Sequence, residues 1–131
     1  MQYRRYKDLK VYNLAYKLAM KIFEETKYFP KEERFSLTDQ IRRSSRSIPA
    51  NIAEAWKKRR CLKTFISKII DTAGEAGETE VWLDIAKDAD YLTVEKHKYL
   101  TSGYDEVNRM LYGIVDKSEK FVENKHNAKQ E

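Results

Sequence analysis

Four glycines and two prolines in 131 residues leave too little turn material for a β-sandwich or barrel. A single cysteine, Cys61, can close no internal disulfide, which fits a reducing compartment. It follows four cations in a row, whose field lowers a thiol pKa. No histidine lies near it in sequence, so a structural thiol is expected rather than a nucleophile. Two histidines are too few for a di-iron bundle, which needs paired Glu-x-x-His motifs on facing helices. The one match, Glu123-Asn124-Lys125-His126, has no second copy. Glu54, Glu78 and Glu80 add carboxylates without completing a metal site. No glycine-rich phosphate loop follows a strand. No metal, cofactor or catalytic activity is therefore expected. No run comes near the roughly 20 apolar residues of a membrane span, and the opening MQYRRYKDLK has no apolar segment behind its basic residues. A soluble cytoplasmic protein without a membrane partner is the expectation.

What the sequence has in quantity is charge. Asp, Glu, Lys and Arg make up 36% of the chain against 41% hydrophobic residues, the balance of a charge-coated helical protein. At this length the chain forms one domain, residues 1–131, able to bury about two-thirds of its unfolded surface. The net charge of +5 hides an asymmetry. Residues 1–60 carry 16 Lys and Arg against 7 Asp and Glu, a balance of +9. Residues 61–131 carry 10 against 14, a balance of −4. Such polarity presents a basic face to a polyanion, or gives complementary faces that pair between subunits.

Four amphipathic stretches account for nearly the whole chain. The first runs from about Asp8, an N-cap that sets a carboxylate at the positive end of the helix dipole, to Tyr28. Leu9, Tyr12, Tyr16, Ala19 and Phe23 form its apolar stripe, widened by Leu18 and Ile22. Phe29-Pro30 ends it, because a residue before proline is pushed out of the α region. The third stretch begins near Leu62 and reaches about Lys87. Phe65, Ile69, Ala73, Ala76, Glu80, Leu83 and Lys87 share one row, with Ile66, Ile70, Gly77, Val81 and Ala86 alongside. Gly74 and Gly77 each cost about 1 kcal/mol relative to alanine in mid-helix. Close approach of another helix, from this chain or a second subunit, would account for them. Thr93 is the N-cap of the fourth stretch. There His97, Leu100, Tyr104, Val107, Leu111, Ile114, Ser118 and Phe121 alternate steps of three and four, the pattern of left-handed packing at about +20°. Short connections make neighbours antiparallel. The expected fold is all-α, an up-down-up-down antiparallel four-helix bundle. Its ordered core covers about residues 6–123, followed by a frayed polar tail.

The second stretch, Ser36 to Arg60, holds two parallel rows. Ile41, Ser45, Ile48, Ile52 and Ala55 recur at steps of four and three and make a narrow apolar seam. One residue behind, Gln40, Ser44, Ser47, Asn51 and Glu54 repeat the same steps as a polar stripe. A lone bundle has no use for a second ordered stripe, so burial against another helix or subunit is expected for it. Pro49 costs about 3 kcal/mol or more in a helix interior. Two helices broken near Ser47, or one kinked helix, would absorb that cost. The seam keeps its phase through the proline, which favours one helix, with Ser44, Ser45 and Ser47 placed to satisfy the freed carbonyl. Arg42, Arg43 and Arg46 lie off both rows. Trp56-Lys57-Lys58-Arg59-Arg60 is the densest cationic run. As a helix C-terminus it gains roughly 0.3–1 kcal/mol per charge from the dipole. With Arg42, Arg43 and Arg46 three to four turns back, it also makes a line for phosphate contact. No base-reading motif accompanies it, so binding would be backbone-driven and weakly sequence-specific.

From Leu37 to Ala55 the pattern L-x-x-Q-I-R-R-S-x-x-S-I-P-A-N-I-A-E-A carries a resemblance. It is similar to the signature of the small four-helix bundle proteins encoded in intervening sequences of bacterial large-subunit (23S) ribosomal RNA genes. That family includes accessory variability proteins of diversity-generating retroelements. The likeness extends from about Tyr6 to Phe121, with a weaker A-G-x-x-x-E-x-E segment from Ala73 to Glu80. The family usually has Gly where Ala55 stands, and often Gly-Ser where Gly74-Glu75 stand. The resemblance implies a four-helix bundle, often a homopentamer, with no enzymatic activity. The expected function is a self-assembling module that binds RNA or DNA, or a nucleic-acid enzyme such as a reverse transcriptase. Arg42, Arg43, Arg46, Lys57, Lys58, Arg59 and Arg60 would carry that binding, and Gln40, Ser44, Ser47, Asn51, Glu54, Gly74 and Gly77 the subunit contact. The alternative is a purely structural oligomer whose cations pair with the acidic half of a neighbour.

Overall fold

Each stretch has one apolar side, and four such sides can be hidden only against one another. The computed structural model describes residues 3–121. They form α1 (Lys10–Thr26), α2 (Leu37–Lys57), α3 (Leu62–Asp88) and α4 (Val94–Asp116), with 3-10 turns at Tyr6–Asp8 and Lys31–Glu33. Consecutive helices pack side by side, α4 returns to α1, and the diagonal pairs stay apart. Cross-helix contacts give the directions. Ser44 of α2 meets Thr79 of α3, while Glu54 meets Lys68, so one number falls as the other rises. Glu25 and Leu18 of α1 likewise meet Lys96 and Gly103 of α4. The chain is an up-down-up-down bundle, packed most closely along α2–α3 and least along α1–α4.

The seam expected on α2 is the seam observed: Ile41, Ser45, Ile48, Ile52 and Ala55 are all buried. Along α4 and the residues just beyond it, Leu100, Tyr104, Val107, Leu111, Ile114 and Ser118 are buried, while His97 and Phe121 mark the half-buried ends of the row. The α3 row differs from the expected one. Phe65, Ile69, Thr72, Ala76, Thr79, Leu83 and Ala86 are buried at strictly alternating steps of four and three. Thr72 and Thr79 donate their hydroxyls to the carbonyls of Lys68 (2.7 Å) and Glu75 (2.9 Å), so each buries a methyl without stranding a donor. Glu80 and Lys87, expected in the row, lie at its half-buried edge, and Ile70 and Val81 are exposed. The α1 stripe is also displaced. Leu9, Leu18, Ala19 and Ile22 are buried as expected and Val11 and Ala15 join them, whereas Tyr16 is 53% exposed and Tyr12 and Phe23 only half-buried. An aliphatic row and an aromatic row run side by side here. The aromatic one, with hydroxyls that prefer an edge, lies outside.

Pro49 is buried inside an unbroken α2, as the phase of the seam requires. The serines do not rescue the Ser45 carbonyl that proline leaves free. Ser44, Ser45 and Ser47 donate instead to the carbonyls three residues back, Ile41 (3.4 Å), Arg42 (3.2 Å) and Ser44 (2.7 Å). Asp8 is not the cap of α1. Its carboxylate accepts the backbone N–H groups of Arg4 and Arg5, both at 3.0 Å, and closes the turn before that helix. These two donors hold the Asp8 carboxyl below its usual pKa. Leu9 occupies the α1 cap position. Thr93 caps α4 as expected, its hydroxyl oxygen accepting from the Lys96 N–H at 3.1 Å.

Two end structures were not legible beforehand. At the end of α3, Asp90 adopts φ 64°, and Tyr91 N–H and Asp90 N–H bond to the carbonyls of Ala86 (2.8 Å) and Lys87 (2.9 Å). That pairing is a Schellman cap with aspartate where glycine is favoured. At the opposite end of the bundle, Tyr3 stacks on Phe121 at 5.4 Å, and Trp56 meets both rings edge-on. Tyr3, ahead of the expected Tyr6, is therefore part of the packed body.

Candidate nucleic-acid interface

The cations of α2 divide into two groups. Toward the start of the helix, Arg42 donates its Nε to Thr26 Oγ1 at 2.8 Å, and its guanidinium lies 4.9 Å from the Phe23 ring. Arg46 lies 5.7 Å from the same ring. Both arginines thus cover the α1–α2 seam, with an aromatic face holding each planar group in place. Arg43 is turned outward, its side chain 74% exposed and 4.0 Å from Asp39. Toward the end of the helix, the run is built around the buried Trp56. Arg59 lies 4.0 Å over its indole and donates Nη1 to the Trp56 carbonyl at 2.9 Å. Burial, with Arg60 beside it, pulls the Arg59 pKa down from its usual value. Lys58 is 3.9 Å from Glu54. Lys57 and Arg60 are exposed and form no ion pair among the described residues. Arg46 and Lys57 are about 16 Å apart along the helix at 1.5 Å per residue.

The polar stripe meets α3 of its own chain rather than requiring a second subunit. Ser44 is buried, its hydroxyl oxygen 2.8 Å from that of Thr79. Glu54 pairs with Lys68, whose hydrogen bond is the main cause of its lowered pKa. Ser47 and Asn51 are half-buried, and Gln40 is exposed, against expectation, on the outer side of a turn whose Leu37, Thr38 and Ile41 are buried. A Cβ placed at Gly74 or Gly77 meets nothing within 4 Å, so neither glycine makes room for a helix of this chain. The close approach is at Gly103, where a Cβ would lie 2.6 Å from Leu18 Cδ2. Cys61 is exposed, not structural, and the Thr64 hydroxyl lowers its pKa by hydrogen bonding. His97 neither fills the core nor caps a helix: its Nε2 is 2.7 Å from Asp84 Oδ1 on α3. Among the described residues no group of three His, Cys, Asp or Glu side chains is placed to hold a metal ion. The Glu123–His126 motif and the tail from Asn124 lie outside the described residues. Among the described residues no helix is long and apolar enough to cross a membrane.

One surface feature was missed in the sequence because its parts come from two helices. Tyr6, Tyr12 and Tyr16 form a chain of rings, 4.9 Å from Tyr6 to Tyr12 and 6.0 Å from Tyr12 to Tyr16. With Arg46, Ala50 and Ala53 of α2 they line a groove of about 390 Å³. The displaced α1 stripe is what builds it, since the tyrosines left out of the core become its wall.

The profile of the 23S rRNA-intervening sequence protein family matches residues 7–113, from the turn before α1 to the last part of α4. The chain belongs to that family. The likeness read from Leu37–Ala55 is thereby borne out over most of the chain. A crystal structure of a protein of unknown function from the S23 ribosomal protein family of Bacteroides thetaiotaomicron VPI-5482 is similar, with 32% identity and a TM-score of 0.73. The match covers 81% of this chain and 95% of that one. No curated protein matches the chain. Membership fixes the fold and assigns no activity.

Proposed function

We propose that the protein is a non-enzymatic, self-assembling bundle that binds the phosphate backbone of RNA or DNA through the cationic side of α2. A nucleic-acid enzyme, such as a reverse transcriptase, would then be engaged on the same nucleic acid. The observation that carries this reading is the state of the cations. Arg43, Lys57 and Arg60 are exposed, and Arg43 has only a long contact to Asp39. Such charges displace counterions from a polyanion without breaking a structural ion pair. Arg42, Arg46 and Arg59 are held by rings, which reduces the ordering cost of binding.

The test is a salt series with a Lys57/Lys58/Arg59/Arg60→Ala variant beside wild type, on duplex RNA and DNA. The expected result is a log-linear loss of affinity with salt, with a slope lower by about one for each phosphate contact removed. No binding by wild type at low salt would overturn the reading.

A second reading, a structural oligomer, is favoured by α3. Ile70 and Val81 are 50% and 52% exposed, on the side where Gly74 and Gly77 are open. Exposed aliphatics beside open glycines suit the helix of a second copy. The family resemblance implies rings of five. An assembly whose mass is unchanged by salt, with no nucleic-acid binding, would favour this reading over the first.

A further inference from the structure

We infer that the α1–α2 groove stacks unpaired bases, so that the nucleic acid this protein prefers is single-stranded. The inference rests on the phosphate-binding reading above and adds a preference to it.

Three grooves formed by the described residues can be compared, and their chemistry separates them. The two along α1–α4 carry mixed charge: one sets Lys21 and Lys96 beside Glu25 and Glu95, the other Lys17 and Lys98 beside Glu95. The α1–α2 groove has one charged side chain, Arg46, and no carboxylate. Its remaining walls are aromatic and aliphatic. A site for an anion with flat apolar parts has this composition.

The α2 wall repeats the same logic along its length. Arg43, Arg46, Ala50, Ala53 and Lys57 recur at steps of three and four and so share one row. Cations stand at both ends of this row, and two small residues stand between them. Phosphates held at the ends leave bases over the middle, where alanine leaves them room. The opposite wall presents Tyr16, half of whose surface is exposed, backed by Tyr12 and Tyr6. A volume of about 390 Å³ lies within the range of small-ligand sites. A paired base cannot enter, because both its faces are already stacked in the duplex. The groove therefore discriminates between strand states more than between sequences, because every base has a π-face to stack.

The experiment compares wild type with Tyr16→Ala and Tyr16→Phe on three labelled probes of equal length: oligouridylate, an RNA duplex, and an abasic deoxyribose-phosphate strand. Tyr16 is exposed enough to be removed without opening the core, and helix content by circular dichroism verifies folding. The expected result is tighter binding of wild type to oligouridylate than to the abasic strand. Tyr16→Ala should lose roughly 5- to 150-fold on oligouridylate, the worth of one stacked base, and nothing on the other probes. Tyr16→Phe should bind as wild type does. Equal binding of wild type to the abasic strand and oligouridylate overturns the stacking inference and leaves phosphate binding standing. No binding to any probe overturns both. A Tyr16→Ala variant that loses self-association but keeps its oligouridylate affinity overturns the inference in favour of a second copy in the groove.

Discussion

Alanine at the mid-helix glycines tests the packing most sharply, because the structure demands opposite signs from one chemical change. At Gly77 a Cβ meets nothing within 4 Å, and the same holds at Gly74. Only the propensity difference remains, so each substitution should stabilise the fold by about 1 kcal/mol. In a domain of this size that raises Tm by about 3–5 °C. At Gly103 the new methyl would lie 2.6 Å and 2.9 Å from the two Leu18 methyls. Carbon atoms in contact prefer about 3.5–4.0 Å, so Leu18 must retreat by about 1 Å within a core that already encloses it. Overpacking of this kind costs about 1–3 kcal/mol, which outweighs the propensity gain and leaves a net loss of about 1 kcal/mol. Urea unfolding at fixed protein concentration measures the difference, with an unchanged m-value certifying that only stability moved. A destabilised Gly77→Ala would refute the reasoning. It would mean that something, such as a second copy, covers α3 there. A stabilised Gly103→Ala would refute the other half, showing that Leu18 moves freely into the adjoining groove.

Two further outcomes follow from the ends and edges of the helices. Asp90→Gly should stabilise by about 1 kcal/mol, because glycine reaches φ 64° without the steric cost an L-residue bears; an unchanged urea midpoint would deny strain at this cap. Burial, then the hydrogen bond and charge of Asp105 and the charge of Asp84, raise the Glu80 pKa to about 7, above its ordinary 4.5. Its folded state therefore holds a proton that the unfolded chain releases earlier. Stability from this group is present below about 4.5 and lost as pH rises through about 7. The urea midpoint should fall across that window in wild type and stay flatter in Glu80→Gln; parallel profiles would refute the assignment. Asp8, Glu33 and Glu54, whose pKa values are lowered, act below the window and with opposite sign.

The rows of α2 and α4 could be read directly because almost every buried position in them is apolar. Those of α1 and α3 misled for opposite reasons. On α1, tyrosine counts as apolar in a pattern but prefers an edge where its hydroxyl stays wet, so periodicity alone puts Tyr12 and Tyr16 where Val11 and Ala15 belong. On α3, Thr72 and Thr79 count as polar, yet each satisfies its hydroxyl within its own helix and packs as a small apolar residue. The cations of the candidate interface are plain in the sequence. Their division between Phe23 and Trp56 is not, since each ring lies off the cationic row that it serves. The groove was hidden for the same reason: no periodicity within one helix reports where it meets another.

The loose α1–α4 seam gives the molecule a direction in which to open. Along α2–α3 and α3–α4 the buried rows interlock for most of their length, whereas α1 and α4 touch tightly at Leu18 and Gly103 and are otherwise flanked by two grooves. Free energies of local opening are graded in this way, with the least-packed element as the lowest step. Parted from α4, α1 would still be held along α2, so the α1–α2 seam is the line about which it would turn. The expected outcome in hydrogen–deuterium exchange is that its amides exchange ahead of those of α3, with Val11, Ala15, Leu18 and Ile22 on the core face that such opening would uncover.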